Sequence, residues 1–173
     1  MTEIEYVDIL DENDNIVSTV CKQEAHEKGL LHRTAIAEVI NSKGQWILVK
    51  QAGDRQDAGQ YVSPVGGHVK SGENLLDALK REAKEEMGLE NFTYKYIGKK
   101  IYNREVLGRK ENHYFILYEI YSDEEPTLNN ESVSFERFTT QRLKEELKNN
   151  PKKFGNAYHF VVEIFYPQLT SVI

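Results

Sequence analysis

Residues 67–89 read GHVKSGENLLDALKREAKEEMGL, and the fold is decided by how this stretch coils. Apolar residues recur at helical spacing from Leu75 to Met87, so the spacing predicts a helix there. Asn74, with Asp77 three residues on, supplies an N-terminal cap, and Gly88 supplies the C-terminal one. With Leu75 set to zero, Leu79, Ala83, Leu76 and Met87 fall at about 40 to 120°, and Ala78 at about 300°. Glu82 falls at about 340° and Glu86 at about 20°, inside that apolar arc, while Glu85 sits on its edge at about 280°. Lys80, Lys84, Asp77 and Arg81 take the opposite arc, where water belongs.

Two carboxylates therefore point where the leucines point. Burying unpaired carboxylates side by side is prohibitively unfavourable, so a positive group must lie between them. A hard divalent cation with oxygen ligands answers this, magnesium first and manganese as the chemically similar second choice. A buried network with lysine or arginine is the competing reading. Gly66 and Gly67, just upstream, let the backbone approach a ligand closely. A strand, a glycine turn and a helix start together make a place to hold phosphate.

Outward from the helix, short β-prone runs surround it. Tyr6–Leu10 and Ile16–Val20 flank Asp11–Asn15, a hairpin loop. That loop starts like a calcium loop, but Ile16 stands where glycine is needed and Lys22 where glutamate is needed. Thr34–Ile40 and Trp46–Lys50 pair around the turn Asn41–Gly44, Gly53–Gly59 is polar loop, and Tyr61–Val65 runs as a strand into Gly66. Tyr94–Tyr102, His113–Tyr121 and Val133–Phe138 read as strands; Thr140–Asn149 and Ala157–Tyr166 read as helices stopped by Pro151 and Pro167. The mixture without strict alternation predicts a mixed sheet packed between helices.

The 173 residues suffice for one domain with a real core. With 39% hydrophobic and 29% charged residues the composition is globular, and a formal charge of −6 argues against a nucleic-acid polymer as partner. Cys21 is the only cysteine, so no intrachain disulfide forms. The acidic N-terminus lacks the pattern of a signal peptide, and no apolar run approaches the roughly 20 residues that span a bilayer. The expected location is cytoplasmic, with no membrane partner.

Gly67, Glu73, Arg81-Glu82-Ala83-Lys84-Glu85-Glu86-Met87-Gly88-Leu89 resembles the Nudix box at every fixed position. The resemblance implies an α/β/α sandwich with a mixed sheet and an N-terminal β-hairpin. It implies one Nudix domain over 1–173, with 1–30 as the N-terminal β-hairpin extension and 67–89 as the Nudix box loop and helix. It further implies metal-dependent hydrolysis of a diphosphate linkage in a small molecule, a nucleoside diphosphate derivative or a related compound. By position, Glu82, Glu85, Glu86 and the carbonyl of Gly66 match metal ligands, and Glu73 and Arg81 match a pair that braces loop against helix. The general base is Glu85 or Glu86 within the box, or Glu131 in a later loop, with Glu136 as its rival.

The stretch His26–Arg33 resembles the branch that includes isopentenyl-diphosphate isomerase. That enzyme places a cysteine where this chain has Gly66, and a glutamate where it has Asn112-His113-Tyr114; Cys21 does not match. The isomerase reading is disfavoured on those grounds. A non-catalytic nucleotide sensor is disfavoured because the box is intact. His26, His32 and His68 resemble metal-binding histidines of those isomerases; ordinary structural hydrogen bonds are the other reading. Gln51–Asp54, Ala58-Gly59 and Tyr61 depart from common family residues at the pocket border. Tyr102, Arg104, Tyr114 and Tyr118 are candidates to bind substrate, or are ordinary strand residues. Exposed edge strands of the N-terminal hairpin suggest a homodimer.

Overall fold

The computed structural model describes residues 3–55 and 57–170; Met1, Thr2, Gln56 of the expected 53–59 loop, and 171–173 lie outside the described residues. Strands β1 (Tyr6–Leu10) and β2 (Ile16–Cys21) form the antiparallel N-terminal hairpin. Its loop is closed by the Asp11 carboxylate, which accepts from the backbone N–H groups of Asn13 (2.9 Å) and Asn15 (3.0 Å). Helix α1 (Lys22–Lys28) follows, and Gly29 ends it at φ 66°. The sequence analysis does not predict this helix, whose residues KQEAHEK carry no apolar period.

Strand β3 (His32–Ile40) is the hub. It pairs with β1, with β4 (Trp46–Gln51), with β6 (Val65–His68), and in parallel with β8 (Arg109–Tyr121) from His32↔His113 to Ile40↔Tyr121. Strand β5 (Tyr61–Val62) pairs with β4. The expected single strand Tyr61–Val65 is thus two strands that pair with different neighbours. It breaks at Ser63-Pro64, because proline has no N–H to give to a ladder. Strand β7 (Thr93–Val106) and β8 form one long hairpin around Leu107-Gly108, longer than the two separate runs expected. Strand β9 (Ser132–Phe138) lies against β4.

Helix α2 (Leu75–Met87) covers one face of this mixed sheet; α3 (Thr140–Asn149) and α4 (Asn156–Phe165) cover the other. The alternation of β3 explains both layers. Ala37 and Val39 join Leu79, Ala83 and Met87 beneath α2, whereas Ile36 joins Leu143, Tyr158 and Val161 beneath α3 and α4. Each fully buried leucine of this kind stabilises the fold by about 1.5–3 kcal/mol relative to exposure. The architecture is an α/β/α sandwich. Among the described residues no helix is long and apolar enough to cross a membrane.

Candidate active site and a histidine cluster

The ends of α2 are built as its sequence predicts. Asn74 Oδ1 accepts from the Asp77 N–H (2.8 Å), although the Asp77 carboxylate answers to the Asn74 amide rather than to its backbone. Gly88 closes the helix at φ 65°. Between these caps the helix lies against β6, and the approach there is very close. A Cβ on Gly67 would lie 2.2 Å from Glu82 Cδ. Glycine is therefore needed at 67 because the Glu82 carboxylate occupies the space of a side chain. One residue earlier, the Gly66 N–H donates to Glu86 Oε2 (2.8 Å).

Arg81 ties the entry loop to the helix. Its Nε and Nη2 donate to the two oxygens of Glu73 (2.9 Å each), Nη2 also donates to the His68 carbonyl (3.0 Å), and Nη1 donates to Glu82 Oε1 (2.5 Å). Glu85 lies 3.6 Å from the same guanidinium, with its side chain 55% exposed. The helical wheel put Glu85 on the edge of the apolar arc, and there it stands. Glu82 is only 8% exposed. Burial pushes its carboxyl up to about 7 against the opposing pull of Arg81, with Glu85 and Glu131 adding to the rise. Burial likewise holds Glu86 well above the usual carboxylate range, helped by Glu82 and Glu131 and opposed by the Gly66 N–H.

Glu131 stands on the loop before β9. Its carbonyl accepts from the Ala52 N–H (2.9 Å), its carboxylate lies 3.5 Å from Arg55, and its side chain reaches Glu86. Glu136 is elsewhere: it is held by the Tyr61 hydroxyl and Arg142 at a separate small depression. Four carboxyls (Glu82, Glu85, Glu86 and Glu131) thus line one wall of a cleft of about 530 Å³. Arg81 is shared with Glu73, and two of the four acids are held towards the neutral form. An oxygen-only donor set in this condition fits a hard divalent cation. Tyr102 and Arg104 line the cleft; Tyr114 and Tyr118 do not. Arg104 is already paired with Asp57 and Glu111, both at 3.2 Å.

The cleft also borders a second constellation. His26, His32 and His68 come together with His113, a residue outside the expected three, and one ligand atom from each falls within 4.8 Å of the others. The parallel register His32↔His113 brings the fourth histidine in. The sequence signal for it was the resemblance that sets Asn112-His113-Tyr114 where the isomerase has a glutamate.

The NUDIX domain model matches residues 30–158. A protein of Nostoc sp. described as an uncharacterized Nudix hydrolase is 30% identical over 176 residues, covering 96% of this chain and 98% of that one. A Yersinia pestis protein with the same description is 38% identical over 88 residues, a match that spans 50% of this chain and 48% of its own length. The isopentenyl-diphosphate Delta-isomerase of Serratia proteamaculans is 28% identical over 149 residues, covering 84% and 83%. Among solved structures, DR0079 from Deinococcus radiodurans has the same fold, with a TM-score of 0.72 at 22% identity over 94% of this chain and 99% of that one. The family model spans most of the chain and the box helix carries Glu82 and Glu86 inward; this protein belongs to the Nudix family, as a hydrolase of phosphorus anhydrides.

Proposed function

We propose that the chain hydrolyses the diphosphate linkage of a nucleoside diphosphate derivative or a related small molecule, with magnesium as the cation and manganese as its substitute. The observation that carries this reading is the convergence of Glu82, Glu86 and Glu131, with Glu85 at the rim, on one wall of an open cleft. Glu82, Glu85, Glu86 and the Gly66 carbonyl would hold the cation. Bound there, magnesium would acidify water and offset phosphate charge. Arg81 and Glu73 fix the loop so that the ligands keep their geometry, as supporting partners of metal ligands commonly do. The Gly66 N–H sets the orientation of Glu86. Glu131, which belongs to a different element from the other acids, would take the proton of the attacking water. An isomerase would need a proton-shuttling cysteine in the position of Gly66. A homodimer would pair through the edge strand β2, where Ile16 and Val17 are exposed.

The test is a panel of nucleotide sugars, dinucleotides, nucleoside triphosphates and coenzyme diphosphates with magnesium, reading released phosphate with and without phosphatase coupling. At least one should turn over, and Glu86→Gln should lower turnover by orders of magnitude with circular dichroism unchanged. If every compound fails while one still raises the melting temperature, the chain is a sensor. If isopentenyl diphosphate exchanges protons with solvent instead, the isomerase reading replaces this one.

A further inference from the structure

We propose, resting on the reading of the glutamate wall as a cation site, that Asp8 of the N-terminal hairpin is a positioning residue for that site. It fixes the turn at Ser71-Gly72, from which Glu73 and Arg81 brace the glutamates. Val7 and Ile9 pack on Ala25 of α1, so the alternation of β1 turns Asp8 to the other side. There it stands opposite Thr19 of β2. The Thr19 hydroxyl donates to Asp8 Oδ1 (2.9 Å), the Ser71 hydroxyl donates to the same oxygen (2.7 Å), and the Gly72 N–H donates to Oδ2 (3.4 Å). One carboxylate thus joins the hairpin to the entry loop of the acid-bearing helix. Asp8 lies outside residues 30–158 that match the family model, so the role belongs to this chain's own extension.

The turn depends on such outside support. Gly72 adopts φ 77°, and a Cβ there would meet nothing within 4 Å, so packing does not restrain it. Two backbone contacts also hold the turn, and both again come from β1. The Ser71 N–H donates to the Tyr6 carbonyl (2.8 Å), and Lys70 bridges to Val7. Glu73 comes next. Its N–H donates to the Lys70 carbonyl (3.0 Å), and its Oε1 accepts from the Lys70 N–H (3.1 Å). The Glu73 carboxylate takes the two prongs of Arg81, whose Nη1 reaches Glu82. A shift of the turn is therefore passed to the side chain that orients Glu82.

The chemistry of the group suits the place. Burial pushes the Asp8 carboxyl up, but the Ser71 and Thr19 hydroxyls, the Gly72 N–H and the charge of Arg33 outweigh it and hold it below the usual carboxylate range. An ionised carboxylate only accepts, and it meets three donors. Asparagine offers one accepting oxygen, which can serve the two hydroxyls, but its amide would face the Gly72 N–H donor to donor.

The test follows manganese binding to the full chain by loss of the free-ion EPR signal, which needs no turnover. The signal is the binding that Glu86→Gln removes. Asp8→Ala should weaken it by about 10-fold, the low end of what supporting partners of metal ligands contribute, and Asp8→Asn by less. Asp11→Ala opens the hairpin loop but leaves Asp8 in place, so it should bind as wild type does. Amide exchange over residues 69–74 should be about 10-fold faster in Asp8→Ala, with β3 unchanged. The proposal alone fails if Asp8→Ala binds manganese like wild type, if exchange over 69–74 is unchanged, or if Asp11→Ala weakens binding equally, which would make hairpin stability the cause. If the wild-type chain shows no such binding, the cation reading fails and the proposal with it. Should Asp8→Ala not fold, Ser71→Ala, which removes one of the same contacts from the loop side, carries the comparison with the same criteria.

Discussion

Replacing Glu38 by glutamine should flatten the dependence of stability on pH between roughly 4.5 and 8. Glu38 lies on the face of β3 that meets α3 and α4, and it is 1% exposed. Its Oε1 accepts from the Ser63 hydroxyl (3.0 Å), while Oε2 is buried without a partner. Glu119 occupies the same rung on β8. Burial pushes the Glu38 carboxyl up to about 8 from an ordinary value of 4.5; the Ser63 hydroxyl opposes the rise and Glu119 adds to it. In the unfolded chain Glu38 ionises near 4.5, but in the folded chain it keeps its proton until about 8. Between those values the unfolded state binds fewer protons, so stability falls as pH rises. The contribution is complete below pH 4.5 and gone above 8. At about 1.4 kcal/mol per pH unit the whole interval amounts to about 5 kcal/mol. Glutamine keeps the shape and the Ser63 contact but carries no proton to lose, so any penalty it brings is nearly constant with pH. Urea unfolding of both proteins from pH 4.5 to 8.5, with saturating magnesium, gives a difference curve. His26 contributes the opposite slope, since its depressed value near 4 means stability lost as pH falls from 6.5. Both proteins share that slope and it cancels. A difference curve level to within about 0.5 kcal/mol would show that Glu38 is ionised in the folded protein and refute the reasoning.

Three further outcomes concern the cleft. Gly67→Ala drives a methyl into the Glu82 carboxylate; steady-state assays should show turnover down by about 100-fold or more, with a melting temperature near wild type. Glu131→Gln should lower kcat by about 10²- to 10⁴-fold with little change in KM, whereas Glu136→Gln, at its separate depression, should stay near wild type; equal losses would remove Glu131 from the role of base. Arg81→Lys gives up the two-pronged grip on Glu73 and the reach to the His68 carbonyl. Titration should show magnesium bound about 10- to 100-fold more weakly.

The acid-bearing helix was legible because its signals are local. A 3.6-residue period, two cap residues and the phase of Glu82, Glu85 and Glu86 all lie within one stretch. Gly67 was legible as a close approach, though which atom approaches was not, since Glu82 stands 15 positions on and only the packing of α2 on β6 brings it back. The β7–β8 hairpin ran past the expected strand ends because its turn places Leu107 at φ 51°, a conformation leucine rarely signals. Helix α1 was missed because Cys21 caps it without a side-chain bond. His113 was legible only as a position where the isomerase has a glutamate, and its company was not. Its place beside His32 depends on a parallel pairing between distant strands, and neither strand's sequence names its partner.

The four residues of β6 have a consequence for what lengths the chain tolerates. Val65 and Gly67 turn towards α2 and the glutamates; Gly66 and His68 turn to the opposite side, where His68 meets the other imidazoles. Substitution at one of these positions disturbs one neighbourhood. Inserting or deleting a single residue would exchange the two sides at once, turning an imidazole into the acidic wall and the tight glycine away from Glu82. A library that varies loop lengths around this sheet should recover no active members with an altered count between Pro64 and Val69, however freely the residues themselves are varied.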